Sequence, residues 1–201
     1  MTIINDKTPT DLRKGDFYYN LPEELIAQTP LKKRDTSRLM VLDRSRENVR
    51  HMHFYDIVDL LLPSDVLVIN DSKVIPARLY GLKEGIPGAD VELLLLKNHG
   101  LEVWETLVKP GKRARVGDRI IFSEGRLSCL VESITKEGNR LVKFDFDRTK
   151  YQSIYDILHK IGLMPLPPYI TEKLEDSSRY QTVYAKEQGS AAAPTAGLHF
   201  T

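Results

Sequence analysis

Residues Gly189 to Thr201, Gly-Ser-Ala-Ala-Ala-Pro-Thr-Ala-Gly-Leu-His-Phe-Thr, form a run of small side chains interrupted by one imidazole, His199. Small side chains let another molecule approach the backbone, and Gly197 can adopt angles closed to other residues. The segment therefore has the makings of a pocket wall with His199 at its rim. A flexible Ala/Ser/Gly linker would share this composition. Pro194 and the change to Leu-His-Phe favour an ordered turn that enters a strand.

Two further polar sets could do chemistry. Asn70-Asp71-Ser72-Lys73 follows the apolar run Asp65-Val-Leu-Val-Ile69. Polar groups at the carboxyl end of a buried strand line the crevice where α/β sheets bind ligands, and a simple turn is the plainer alternative. In Arg34-Asp35-Thr36-Ser37-Arg38 two guanidiniums flank a carboxylate, which suits either a phosphate or carboxylate clamp or an internal surface ion pair.

Other chemistries find little support. There is no Walker loop, no Gly-x-Gly-x-x-Gly and no Gly-x-Ser-x-Gly elbow. The five histidines do not combine with the lone Cys129 into a metal set, so no metal is expected. His51 and His53 read as a polar entry into a following helix, and His159 as a residue on the wet face of another. Cys129 sits in the alternation Leu127-Ser-Cys-Leu-Val131, the pattern of a buried strand thiol. One cysteine excludes an internal disulfide, and no basic stretch followed by an apolar block opens the chain, so the cytoplasm is the expected location.

The net charge of +1 over 201 residues hides two basic clusters. Residues 31–50 hold seven Lys/Arg against three acids; residues 109–119 hold Lys109, Lys112, Arg113, Arg115 and Arg119 against Asp118 alone. Solvated surface charge accounts for either cluster singly, whereas the two together point to a polyanion met locally and in a salt-sensitive way.

These groups must be positioned by recognisable elements. Pro22 followed by two glutamates predicts a short helix over 17–27, and Phe54, Ile57, Val58 and Leu61 predict another over 53–62 that Pro63 stops. Leu39–Leu42 and Asp65–Ile69 read as strands. From 74 to 148 short β segments, at 74–82, 90–97, 101–108, 119–122, 126–134 and 140–146, alternate with glycine turns. So many short strands avoid exposed edges by closing into a small barrel. A helix is expected over 152–161, ended by Gly162, then an extended proline-rich connector from Met164 to Ile170. The expected fold class is thus a mixed α/β main domain, discontinuous over 1–73 and 151–201, with an all-β barrel domain inserted at 74–150. The strand-like end at Phe200-Thr201 leads us to expect further sequence beyond it.

Five ordered blocks carry a resemblance. Asp35-Thr-Ser-Arg38-Leu-Met-Val-Leu-Asp43, Asp65-Val-Leu-Val-Ile-Asn70-Asp71-Ser-Lys-Val-Ile-Pro76-Ala-Arg78-Leu, Pro165-Leu-Pro-Pro-Tyr-Ile170, Tyr180-Gln-Thr-Val-Tyr184-Ala and Ala193-Pro194-Thr-Ala-Gly197-Leu-His199-Phe resemble the S-adenosylmethionine:tRNA ribosyltransferase-isomerase family of queuosine biosynthesis. The resemblance runs from about residue 16 to the last, and members are considerably longer.

It implies transfer of the ribosyl part of S-adenosylmethionine, a co-substrate and not a bound cofactor, to 7-aminomethyl-7-deazaguanine at the wobble position of tRNA. Epoxyqueuosine forms, adenine and methionine leave, and the methyl group is not transferred. Carried onto this chain, the resemblance suggests His199 as acid/base and Asp71 as a charge partner for the sulfonium or the substrate amine. Asn70 would fix ribose hydroxyls, and Pro194, Thr195, Ala196 and Gly197 would line the nucleoside pocket. Arg38 and Arg78 would meet phosphate or the methionine carboxylate, and Lys112, Arg113 and Arg115 the tRNA. A monomer is expected. A non-catalytic tRNA-binding barrel is the main alternative, and an S-adenosylmethionine-dependent RNA methyltransferase a second, which lacks its usual glycine-rich loop here.

Overall fold

The structure, a computed structural model, describes residues 12–201. Its centre is a closed six-stranded antiparallel barrel of β4 (Arg78–Lys83), β5 (Asp90–Asn98), β6 (Val103–Lys109), β7 (Arg119–Phe122), β8 (Leu127–Ile134) and β9 (Arg140–Asp145), in spatial order β4-β5-β6-β9-β8-β7. Alternation along each strand turns one face inward. Leu79, Val91, Leu93, Leu95, Trp104, Ile120, Phe122, Leu127, Cys129, Val131, Val142 and Phe144 fill the interior. Irregular register in β5 between Leu95 and Lys97, and in β8 between Val131 and Ser133, adds the local bend that closure requires.

The single α-helix among the described residues, α1 (Ile154–Ile161), packs on this core. The Asp156 carboxylate accepts from the amides of Gln152 and Ser153 at 2.9 and 3.0 Å and so satisfies donors at the helix start. Ile154, Ile157 and Leu158 lie along its buried side, and Tyr155 meets Trp104 edge-on with ring centroids 6.1 Å apart. Gly162 ends the helix where the backbone passes so close to Pro76 that a Cβ would fall 2.1 Å from its carbonyl oxygen. The next residue, Leu163, exchanges both backbone hydrogen bonds with Arg78.

Outside the barrel, β1 (Arg38–Asp43) and β2 (Asn48–His53) form an antiparallel hairpin. β3 (Ser72–Val74) pairs in parallel with β10 (Glu187–Ser190), so the segments before and after the barrel meet. No described helix is long and apolar enough to cross a membrane.

Several elements differ from expectation. The residues expected as one strand over 74–82 are split at Pro76: Val74 belongs to β3, and the barrel strand begins at Arg78. Proline has no amide to donate to a ladder. The helices expected over 17–27 and 53–62 are 3-10 turns, at Lys14–Phe17, Glu23–Leu25 and Phe54–Asp59. Asp65–Ile69, expected as a buried strand, is irregular, with Val66 and Val68 each 88% exposed, because no described strand lies beside it to complete a ladder.

Candidate functional site

The small-residue run folds as expected into an ordered turn. A 3-10 turn at Thr195–His199 follows Pro194, and Phe200 leaves it with extended backbone, although no strand forms there. The turn is held from three directions. Arg34, in the 3-10 turn Arg34–Thr36, donates through Nη1 to the carbonyls of Gln181 (2.8 Å) and Leu198 (3.0 Å), and through Nη2 to that of Ser178 (2.9 Å). The planar fork suits several carbonyls at once. Burial and then the neighbouring Arg179 lower the Arg34 pKa, while Asp176 opposes them. Of the two alternatives for the Arg34–Arg38 segment, neither a ligand clamp nor an ion pair describes Arg34, which is a brace.

Phe54 supplies the second support. Its ring centroid lies 5.3 Å from that of His199, tilted by 44°, and 4.9 Å from Phe200 in edge-to-face geometry. The third is Tyr184, 5.9 Å from Phe200 and close beneath Gly197. His199 is half-buried on this aromatic wall, and neither ring nitrogen has a hydrogen-bond partner among the described residues. An imidazole held by packing alone keeps both nitrogens available to exchange a proton with a ligand.

The Asn70–Lys73 set approaches the same corner through the backbone. The Asp71 carbonyl accepts from the amide of Lys186 at 2.6 Å, two residues beyond Tyr184. The Asp71 carboxylate is exposed and has no ion pair or hydrogen bond among the described residues. Asn70 is partly committed: its Oδ1 accepts from the Ser72 amide (2.9 Å) and hydroxyl (2.6 Å), leaving Nδ2 as its outward donor. Gln181 ties the parts together by accepting at 3.0 Å from the Val74 amide.

The basic candidates divide. Arg38 opens β1 opposite His53, beside the Ser37 carbonyl that accepts from the Phe54 amide at 2.8 Å; it is exposed and makes no ion pair among the described residues. Arg78 lies in the barrel with its Nε 3.0 Å from Glu92 Oε1, an ion pair whose angle falls outside hydrogen-bond geometry. Lys112, Arg113 and Arg115 sit on the loop between β6 and β7 of the barrel, Lys112 and Arg113 within the 3-10 turn Gly111–Arg113. His53 stacks on Tyr55 and His159 lies exposed in the last turn of α1, as the bland readings anticipate. Cys129 is fully buried, and burial pushes its thiol up to about 12.

The sequence places Phe54 only on the apolar face of the element over 53–62, and Thr182 and Tyr184 only within the Tyr180–Ala185 block; neither signal marks them as supports of the His199 turn, since contacts across such separations leave no periodic trace.

Comparison with known proteins agrees with the resemblance. The chain is 54% identical over 190 residues to the S-adenosylmethionine:tRNA ribosyltransferase-isomerase of Acetivibrio thermocellus, in an alignment that covers 94% of this chain and 54% of the relative. It is 33% identical to the S-adenosylmethionine tRNA ribosyltransferase of Thermotoga maritima, known from a crystal structure, with coverage of 87% and 56% and a TM-score of 0.35. The chain spans about half the length of the relatives it matches. A model of the family described as queuosine biosynthesis protein matches residues 14–201, and the chain belongs to that family.

Proposed function

We propose that the chain forms part of an S-adenosylmethionine:tRNA ribosyltransferase-isomerase and contributes the nucleoside side of its active site. Ribosyl transfer to 7-aminomethyl-7-deazaguanine at the wobble position would give epoxyqueuosine and release adenine and methionine. The observation that carries this reading is the packing of the His199 turn against Arg34, Phe54 and Tyr184, which draws together motifs far apart in a chain 54% identical to a named enzyme of this activity.

The sulfonium of S-adenosylmethionine makes C5′ of the ribose acidic and methionine a good leaving group, so the protein has to move protons and exclude water. His199, with two uncommitted nitrogens, is the acid/base. Asp71 offers a negative charge to the sulfonium or the attacking amine, and Asn70 offers Nδ2 to a ribose hydroxyl. Pro194, Thr195, Ala196 and Gly197 line the nucleoside, while Arg38 and Arg78 supply cations for phosphate or the methionine carboxylate, Arg78 by exchanging Glu92. Lys112, Arg113 and Arg115 contact the tRNA. S-adenosylmethionine is a co-substrate, and the enzyme acts as a monomer in the cytoplasm.

The main domain is taken as discontinuous over 1–73 and 151–201, with the barrel inserted at 74–150; residues 1–11 of that span lie outside the described residues, and from residue 12 on the β3–β10 pairing and the Arg34 bonds support this division. Its α/β sheet would take the exposed run Val66–Ile69 as a strand.

The test is adenine release from S-adenosylmethionine in the presence of tRNA bearing 7-aminomethyl-7-deazaguanine, using a chain of the relatives' full length. Replacing His199 by Ala is expected to lower turnover by about 100-fold or more. Undiminished turnover would remove His199 from the chemistry. RNA retention with no adenine release in the unaltered chain would favour the non-catalytic barrel instead.

A further inference from the structure

The basic loop that the proposed function sets against tRNA borders one of two hollows on the barrel. The turn between β4 and β5, residues 84–89, stands between two depressions that share Lys83, Ile86 and Pro87. The smaller, about 400 Å³, is lined by Lys83, Lys112, Arg113 and Arg115 and by no acidic side chain. The larger, about 770 Å³, is lined by Tyr80, Leu82 and Ile121 and by the acids Glu84, Asp90 and Glu124. One turn therefore separates a cationic hollow from an acidic and apolar one.

The cationic side is braced. Arg140 donates from Nη2 to the Gly111 carbonyl at 2.7 Å, from Nε to the Ala114 carbonyl at 3.1 Å, and to the Gly138 carbonyl. Asp118 accepts from the Arg115 amide at 2.8 Å and pairs with Lys83 at 2.7 Å. Arg113 is tethered to the Asp90 carbonyl at 2.9 Å. Lys83 is neutralised internally, but the side chains of Lys112 and Arg115 are exposed and make no ion pair among the described residues. Two exposed cations, Lys112 and an Arg115 that Asp118 attracts only through space, on a loop whose backbone is already fixed bind an anion with little further loss of freedom.

We propose that this hollow is a preorganised cradle for the phosphate backbone of RNA, with Arg140 and Asp118 as positioning residues. The acidic hollow across the 84–89 turn repels the strand and so decides on which side of the turn it runs. The assignment to RNA rests on the transferase reading above. Two exposed cations three positions apart on one fixed loop can each meet a phosphate of a polymer, whereas one small anion calls for several converging hydrogen-bond donors. Like-charge exclusion on the facing side is a familiar source of specificity.

The experiment is an anisotropy titration of this chain with an unmodified anticodon stem-loop RNA at several salt concentrations, without S-adenosylmethionine. The double variant Lys112→Ala/Arg115→Ala, whose side chains make no hydrogen bond or ion pair among the described residues, is expected to keep its thermal midpoint. It should bind about 10- to 100-fold more weakly, with a log–log salt slope smaller by about two. Unchanged affinity and slope would overturn the cradle, as would no RNA binding by the unaltered chain. So would inorganic pyrophosphate that binds stoichiometrically without displacing RNA. Arg140→Lys keeps the charge and removes the fork; weaker binding at an unchanged slope and midpoint is expected, and full affinity would strip Arg140 of its positioning role. Because no co-substrate is present, failure of adenine release leaves this result standing, and failure here leaves the ribosyl-transfer chemistry untouched.

Discussion

The Tyr184 hydroxyl lies directly against Gly197: a Cβ added at Gly197 would sit 2.4 Å from that oxygen and 3.0 Å from Thr182 Cγ2. Gly197→Ala is therefore expected to destabilise the chain by about 1–3 kcal/mol through overpacking. Tyr184→Phe in the same chain removes the obstructing oxygen and should recover most of the loss. Urea midpoints of the single and double variants decide the matter, and equal losses in both would show that the contact is not the cause.

Arg34→Lys keeps a positive charge yet cannot serve the carbonyls of Gln181, Leu198 and Ser178 together. A loss of about 1.5–3 kcal/mol is expected, the range for hydrogen bonds that involve a charged group. Hydrogen exchange should quicken first in 195–200. A uniform change over the whole chain, barrel included, would contradict the bracing role.

Burial holds the Cys129 thiol neutral, up from 9.0 to about 12. It contributes stability that is complete below the unfolded value of 9.0 and lost as pH rises toward 12. Cys129→Ala should flatten part of the alkaline fall in stability. In the native protein at pH 8 the thiol should resist a disulfide reagent until unfolding exposes it; prompt labelling of the folded chain would refute its burial.

The Lys83 ammonium, and then the Arg115 amide, hold the Asp118 carboxyl below its ordinary value of 3.8. Its contribution is present above that unfolded value and lost as pH falls through the lower folded one. Asp118→Asn should thus lose stability at neutral pH and show a shallower acid limb. An acid limb parallel to that of the parent would place the titration elsewhere.

The barrel could be read from the chain because its signals are local. Alternation such as Val91, Leu93, Leu95 and turns at Gly100, Gly125 and Gly138 specify antiparallel neighbours within a few residues. The strand expected at Asp65–Ile69 is the counterexample: its pattern is right, but a strand exists only beside another, and periodicity says nothing of partners. At the candidate site the chemistry-bearing residue types, His199 and Asp71, stand out by composition. Their supports do not. Arg34 reaches Leu198 across 164 positions, and Gly197 is needed for the approach of Tyr184 and not for a turn, facts that belong to tertiary packing alone.

The Arg78–Leu163 exchange of backbone bonds has a bearing on how the chain assembles. By cinching the two strands of polypeptide that enter and leave the barrel, it spares the parallel β3–β10 pair the entropy of closing a long free loop; Val74 and Gln181, which bond to each other, are 107 positions apart. The barrel should accordingly acquire its hydrogen-exchange protection early on refolding and act as the template on which the His199 corner is later sewn shut.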